Sequence, residues 1–463
     1  MNQINRRRFL SAAAGAAGAT LAVPSVLLGQ GKRSPIDKMH IACVGLGAMG
    51  YTTLENCVGT KNLGSPTIQF ADNVVALCDV DWRRAAVPFK RFPRARTFKD
   101  YRRMFDQVKD IDAVIVATPD HTHAVITAEA MRRGKHVYTQ MPLAHDVREA
   151  RRLAEIAGET GVSTQMGNPR HSSPVIRKTR AWINAGAVGT VREVHCFTMR
   201  PTWPQGMPAA LPPQPVPATL AWDLWLGPAP ERVYNPGYHP FNWRGWRDFG
   251  TGALGAMGCH VMDAPFWILG LHRYDRFRVE AESSGLTEQA WPESSHVRYV
   301  FPASGETPEL SVHWYDGGRR PPVPEGFPPN RGLDSNGSIF IGDEGTLVCG
   351  DVVNVNDPDD DIPMLLRESG GFTPPRKVDR LPGSWEHDFL GNHEHLWLEA
   401  CKKGEQPSAC FEYSAGLTEM VLLGNVALQA GEPVEWDRKS GKVVNPAQAN
   451  RFVGREYRKG WEI

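Results

Sequence analysis

Residues 39–50 read MHIACVGLGAMG, and the fold turns on how that stretch is parsed. Met39 to Val44 is a short apolar run of strand type. It leads directly into Gly45-Leu46-Gly47-Ala48-Met49-Gly50, a G-x-G-x-x-G turn that opens a helix. The first glycine permits the tight turn, the second lets backbone approach a pyrophosphate, and the third lets helix pack on strand. The pyrophosphate then sits on the helix N-terminus, where free N–H groups and the dipole favour negative charge. Further on, Val74 to Cys78 is a second apolar run ending in Asp79, where a carboxylate that accepts ribose hydroxyls belongs. Polar residues 60–72 read as an inserted loop that stretches the usual spacing. An acid at Asp79 repels a 2′-phosphate, which favours NAD over NADP, a preference that Arg83 and Arg84 temper.

The strand–helix rhythm continues. Ala113 to Ala117 is a strand that runs into Thr118-Pro119-Asp120-His121-Thr122-His123, and the helix after it stops at Gly134. His136 to Tyr138 and Val162 to Met166 are further strands. Between them Asp146 and Glu149 form a capping-box start for a helix with Val147, Ala150, Leu153, Ala154 and Ala157 on its apolar face. Such alternation predicts an α/β unit over 36–165, a doubly wound parallel Rossmann sheet with ligand at the carboxyl ends of its strands.

From 166 to 463 the pattern changes. Ser173-Pro174 starts a helix that runs to Gly186. Short alternating runs follow at 191–199, 277–281, 296–301, 310–315, 338–341 and 346–349, which fits a largely antiparallel open sheet in an α+β domain. The stretches 201–217, with seven prolines, and 317–333 read as long loops.

With 463 residues the chain has room for two or three domains. Its 41% hydrophobic and 22% charged content is ordinary for a globular protein. Lys+Arg total 52 against Asp+Glu 51, so the basic excess that nucleic acid or an anionic membrane requires is missing. Asn5-Arg6-Arg7-Arg8-Phe9-Leu10-Ser11 followed by a weakly apolar Ala/Gly-rich segment has the form of a twin-arginine export signal over 1–35, cleaved between Val23 and Lys38. That reading places the protein in the periplasm, with no membrane anchor. Export of a folded chain makes buried free thiols the expected state of Cys43 and Cys78. No metal site is expected: there is no CxxC pair and no H-E-x-x-H, the cluster His387, Asp388, His393, Glu394 and His395 reads as a polar helix face, and Asp357 to Asp361 as a solvated acidic loop.

Taken together, IACVGLGAMG, VVALCDVD, AVIVATPDHTHA, GKHVYTQMPLA, DVREARRLAEIAG, FGTGALGAMGCHVMD and GSIFIGDEGTLVCG resemble the Gfo/Idh/MocA family (glucose–fructose oxidoreductase, inositol dehydrogenase and relatives) in order and spacing, over nearly all of 38–460. The resemblance implies a Rossmann domain, an open-sheet substrate domain, NAD or, less favoured, NADP, and a small carbohydrate substrate. It implies that Gly45, Gly47 and Gly50 hold the pyrophosphate and Asp79 the adenosine ribose, with Thr118, Pro119 and His123 near the nicotinamide ribose. Leu46, Met49 and Gln140, in the same turns, complete the cofactor set. A dimer or tetramer is the default assembly. Two positions depart from the family. Its G-K-H-V-x-x-E-K-P stretch ends here in Gln140-Met141-Pro142, so a proton-transferring lysine is replaced by a thioether. Its D-x-G-x-H element reads Ala256-Met257-Gly258-Cys259-His260, so the acid is an alanine.

His260 is therefore the first catalytic candidate, and Asp263, three residues on, is placed either to orient it or to make a helix hydrogen bond. His121, Arg170, Tyr238 and His239 are reserve proton carriers. Aromatic residues crowd 222–249, interleaved with Arg244, Arg247, Asp248 and His239. They fit a carbohydrate platform, with packing or an oligomer interface as the other reading. Arg170, Tyr238, Trp243 and Arg244 are the substrate candidates. Three activities are compatible with this set. One is an exported oxidoreductase on a sugar, polyol or glycoside with tightly held NAD. The second is a redox-neutral, NAD-using glycosidase or epimerase. The third is a catalytically impaired carbohydrate-binding relative.

Overall fold

In the computed structural model, which describes residues 38–59, 73–305, 308–330, 332–350, 363–367 and 389–463, the glycine turn joins β1 (His40–Val44) to α1 (Ala48–Val58). The export signal, the 60–72 loop, the aspartates of 357–361, His387 and Asp388 lie outside the described residues. The chain continues through β2 (Asn73–Cys78), α2 (Ala86–Arg91), β3 (Arg96–Phe98), α3 (Tyr101–Gln107), β4 (Ala113–Val116), α4 (Asp120–Arg132), β5 (His136–Gln140), α5 (Val147–Thr160) and β6 (Thr164–Gly167). These six strands form one parallel sheet in the order β3-β2-β1-β4-β5-β6, the doubly wound arrangement. The chain order reverses between β1 and β4, which opens a crevice at their carboxyl ends. The capping box forms as the sequence predicts: Asp146 Oδ1 accepts the Glu149 N–H at 2.9 Å, and Glu149 Oε2 accepts the His145 N–H at 2.9 Å.

After α6 (Pro174–Asn184), capped by the Ser173 hydroxyl, comes the central strand of the second sheet, β7 (Val191–Thr198). Helices α7 (Trp222–Leu226), α8 (Gly252–Val261) and α9 (Asp263–Ile268) precede β8 (Arg276–Ser284), β9 (Ser294–Phe301), β10 (Leu310–Tyr315), β11 (Asn336–Gly342), β12 (Thr346–Gly350) and β13 (Met364–Leu366). The chain closes with α10 (Phe389–Lys403), α11 (Phe411–Ala430), β14 (Val434–Asp437) and β15 (Lys442–Asn445). Nine strands align as β13-β12-β11-β7-β10-β9-β8-β14-β15, antiparallel except for the parallel β7–β10 pair.

The helix α11 joins the two halves. Its sequence FEYSAGLTEMVLLGNVALQA is apolar on nearly every side, which suits a helix with no solvent face. It packs on α5 of the first sheet and on α8 and β8 of the second, so one continuous core runs from Val116 to Trp314. The helix α10 covers the other face of the first sheet, adding Trp397, Leu398 and Cys401 to a core with Ile41, Leu54 and Tyr138. All eight cysteines are free, and Cys43 and Cys78 are fully enclosed. No helix of the described residues is long and apolar enough to cross a membrane.

Candidate functional site

A cleft of about 510 Å³ lies at the carboxyl ends of β1, β2, β4 and β5 and extends toward α8 and the 200–246 segment. Its size is that of a small-molecule site. The glycine turn forms one end. Gly45 has φ +87°, and a Cβ there would lie 2.5 Å from the Ala117 carbonyl oxygen. A Cβ on Gly50 would land on the Gly45 carbonyl oxygen, whereas one on Gly47 would meet only the Arg84 guanidinium, at 3.8 Å. The turn is thus closed against β4 and open toward the cleft, the cradle a pyrophosphate needs.

Asp79 sits beside that turn. Its Oδ2 accepts the Leu46 N–H at 2.7 Å and its Oδ1 the Asp81 N–H at 2.8 Å. Burial raises its pKa to about 6, against the lowering effect of those two backbone bonds and Arg84. Thr118, Pro119 and Gln140 line the middle of the cleft, with Met49 half-exposed at its rim. The Thr118 hydroxyl is buried without a protein partner, an orphan donor and acceptor fit for a polar ligand. Gln140 is anchored by its amide N–H, which donates to Thr53 Oγ1 at 2.8 Å. His123 holds the loops: Nε2 lies 2.8 Å from the Thr118 carbonyl and Nδ1 2.8 Å from the Pro142 carbonyl. On these grounds the residues fit a dinucleotide.

The far end holds the departures from the family pattern. Met141, Ala256 and His260 all line the cleft, with Ala256 and His260 one turn apart on the same face of α8. Asp120, at the first turn of α4, lines it too and was not singled out in the sequence. Its Oδ2 accepts the Thr251 hydroxyl at 2.6 Å and the Thr251 N–H at 3.1 Å. Burial raises the Asp120 pKa above the usual carboxylate value. Only its place in the TPDHTH turn signalled a site. Asp263 lies elsewhere: it is fully buried and not among the cleft-lining residues, and its carboxylate meets His171 Nδ1 at 2.9 Å and the Tyr413 hydroxyl at 2.5 Å.

The aromatic segment divides. Trp225, Tyr234, Tyr238, Trp243, Trp246 and Phe249 form a small core of their own. Tyr238 is fully enclosed, and its hydroxyl accepts the Leu211 N–H at 2.7 Å. Trp203, Trp225, Phe241 and Trp243 reach the cleft wall. Arg244 lies over the Trp243 ring at 4.2 Å and the Phe241 ring at 4.7 Å, and also lines the cleft. Arg170 points away, donating to the Gly350 carbonyl at 3.0 Å. Of the reserve groups, His239 lines the cleft with Nε2 3.1 Å from Asp81 Oδ2. His121 is buried between the Phe249 and Trp225 carbonyls, and burial lowers its pKa to about 3, so it is neutral near pH 7. Trp461, close to the C-terminus, returns to line the cleft.

Two family models match the chain. Residues 39–168 fit an oxidoreductase family, NAD-binding Rossmann fold, and residues 176–305 the C-terminal alpha/beta domain of an oxidoreductase family. Inositol 2-dehydrogenase 3 of Saccharopolyspora erythraea is 30% identical over 184 residues, 37% of this chain and 54% of that protein. Levoglucosan dehydrogenase of Pseudarthrobacter phenanthrenivorans is 25% identical over 187 residues, 40% of each chain. Glycosyl hydrolase family 109 protein 1 of Akkermansia muciniphila is 30% identical over 147 residues, 30% of this chain and 28% of that protein. The chain therefore spans about half or less of the length of these relatives. Among solved structures, a levoglucosan dehydrogenase in complex with NADH and levoglucosan superposes with a TM-score of 0.58 at 16% identity, covering 87% of this chain and all of that one. A 3-ketoreductase from Actinomadura kijaniata in complex with NADP and TDP-benzene gives 0.56 at 19%, covering 84% and 98%. At these identities the likeness is one of fold.

Proposed function

The chain belongs to the Gfo/Idh/MocA family of NAD-binding sugar and polyol oxidoreductases, and from that premise we propose that it oxidises a hydroxyl of a sugar, polyol or glycoside, with NAD bound in the cleft. The observation that carries the proposal is a single cavity shared by the open glycine turn, Asp79, the orphan Thr118 hydroxyl and His260. When bound, NAD supplies the hydride acceptor. Asp79 accepts the ribose hydroxyls and, as an anion, disfavours a 2′-phosphate, so NAD is preferred to NADP. Arg84, close to Gly47, faces the pyrophosphate. Trp203, Trp243 and Arg244 offer flat and charged surface to a pyranose. His260 takes the proton of the reacting hydroxyl. The buried carboxylate of Asp120, raised in pKa, is a further candidate to take that proton, in a wall where Met141 and Ala256 provide none. In this proposal the chain divides near residue 165 into a NAD-binding and a substrate domain, and it assembles as a dimer or tetramer.

The twin-arginine sequence at Arg6-Arg7 supports export to the periplasm, and an exported enzyme without a cofactor pool must hold NAD tightly and restore it within each cycle. The similarity to a family 109 glycosyl hydrolase favours a second reading, in which oxidation is transient and the net reaction is redox-neutral. A panel of sugars, polyols and glycosides, analysed for both oxidised and cleaved products, separates the two. On any substrate that turns over, His260→Ala should cost ~10²-fold or more in rate. A near-wild-type rate removes His260 from proton transfer, and NAD binding without turnover on any member of the panel contradicts the enzymatic reading. A reporter fused after residue 38 tests export: periplasmic signal that vanishes with Arg6→Lys/Arg7→Lys is expected, and a signal indifferent to that change refutes it.

A further inference from the structure

Away from the cleft, the nine-stranded sheet has one face under α8 and α11 and another on which Glu193, His195, His296, His313 and Tyr315 converge. In β7, Glu193 and His195 are two residues apart and share that face. In the neighbouring parallel strand β10, His313 pairs directly with His195. Glu193 Oε1 lies 3.3 Å from His195 Nε2 and 3.1 Å from His313 Nε2, and the three ligand atoms are all within 4.8 Å of one another. A zinc ion bound at about 2.0–2.1 Å in tetrahedral geometry sets its ligand atoms about 3.3–3.4 Å apart. The two Glu193–histidine separations are already close to those edges.

We propose that Glu193, His195 and His313 bind a divalent transition-metal ion, Zn²⁺ foremost, on the open face of the nine-stranded sheet, with the remaining coordination position left to water or another small ligand. Two nitrogens and one carboxylate oxygen suit zinc and its neighbours better than Mg²⁺ or Ca²⁺, which take oxygen ligands. The outer nitrogens of both histidines are also held. His195 Nδ1 is 3.1 Å from the Tyr315 hydroxyl, and His313 Nδ1 is 3.0 Å from His296 Nε2. Such outer contacts fix the ring orientation and leave Nε2 aimed at the metal. The rings are braced by stacking, His296 on His313 with centroids 5.3 Å apart and on Tyr315 at 4.6 Å. Glu193 is 40% exposed and His195 5%, so an ion has a route in and one enclosed wall. Metal binding takes the Nε2 lone pair of each neutral ring, so the bound tautomer carries its proton on Nδ1, and that N–H donates a hydrogen bond to Tyr315 Oη from His195 and to His296 Nε2 from His313.

The test uses tag-free full-length protein stripped with chelator. Titration with Co²⁺ should give the visible absorption of a four-coordinate ion at one equivalent, displaced by Zn²⁺, and calorimetry with Zn²⁺ should give the same stoichiometry. His313→Gln and Glu193→Gln should abolish the Co²⁺ spectrum, Tyr315→Phe should weaken binding about 10–100-fold, and His395→Gln should leave it unchanged. Wild-type spectra without four-coordinate bands, or bands that survive His313→Gln in a variant with a wild-type melting curve, overturn the proposal. Anomalous diffraction from a Zn²⁺-soaked wild-type crystal decides independently of any variant: a peak between the three side chains supports the site, and peaks only elsewhere refute it.

Discussion

Asp79→Asn removes the charge beside the glycine turn and preserves the shape of the side chain. In the wild-type protein the carboxylate already accepts two backbone N–H groups, at 2.7 and 2.8 Å, and lines the cleft, so it is fixed before any cofactor arrives. Hydrogen bonds to a charged group are worth about 1.5–3 kcal/mol, and neutral ones about 0.5–1.5 kcal/mol. Two ribose bonds that lose their charge assistance therefore cost about 2–3 kcal/mol, or roughly 30–100-fold in Kd at about 1.4 kcal/mol per decade. NADP should lose less, because the same change removes the repulsion of its 2′-phosphate. Calorimetry on cofactor-stripped protein measures both ligands, with a melting curve to check the fold. The wild type adds a pH signature. Burial lifts this carboxyl to about 6, so it is protonated below that value and ionised above it. Affinity for NAD should be flat above pH 6 and fall by up to about tenfold per unit below it, and the asparagine variant should lack that limb. Equal NAD and NADP affinities before and after the substitution, with no change of pH profile, would remove Asp79 from the ribose.

Two further outcomes follow from the same geometry. Met141→Lys with Ala256→Asp places a lysine and an acid on the cleft wall occupied by the thioether and methyl groups, and should raise the rate on a turned-over substrate by ~10²-fold or more. An unchanged rate and pH–rate profile would refute the expectation that the replaced lysine and acid limit proton transfer in this cleft. Glu149 is buried and bonds Arg455 at 2.7 Å, tying the C-terminal segment to α5. Glu149→Ala strands that guanidinium and should cost about 3–5 kcal/mol in a denaturant melt. A loss below about 1 kcal/mol would mean that Asp146 and the His121 carbonyl suffice to hold Arg455.

The features legible in the sequence are those whose cause is local. The turn at Gly45 to Gly50, the caps at Asp146 and Ser173, and the period-two runs of β7, β9 and β10 are each set by neighbours a few residues away. What was not legible depends on contacts far apart in the chain. Aromatic content alone could not say which of the rings at 222–249 turn inward to pack on one another and which reach the cleft. Asp263 has helical spacing from His260 in the sequence, yet α8 ends at Val261 and Asp263 opens α9, and its carboxylate is engaged by His171 and Tyr413, which come from other elements. Asp120 reads as a first-turn helix acid until α4 is docked with its end in the cleft. The Glu193, His195 and His313 cluster exists only because β10 lies beside β7 in parallel, a register no spacing motif encodes.

If the proposed function is right, the cleft at the carboxyl ends of the parallel strands holds NAD for catalysis. Mass spectrometry of whatever denaturation releases from full-length protein, purified without added nucleotide, tests it most directly. NAD in near-stoichiometric amount is the expected result. A protein that releases no dinucleotide, and then fails to bind added NAD or NADP, would contradict it.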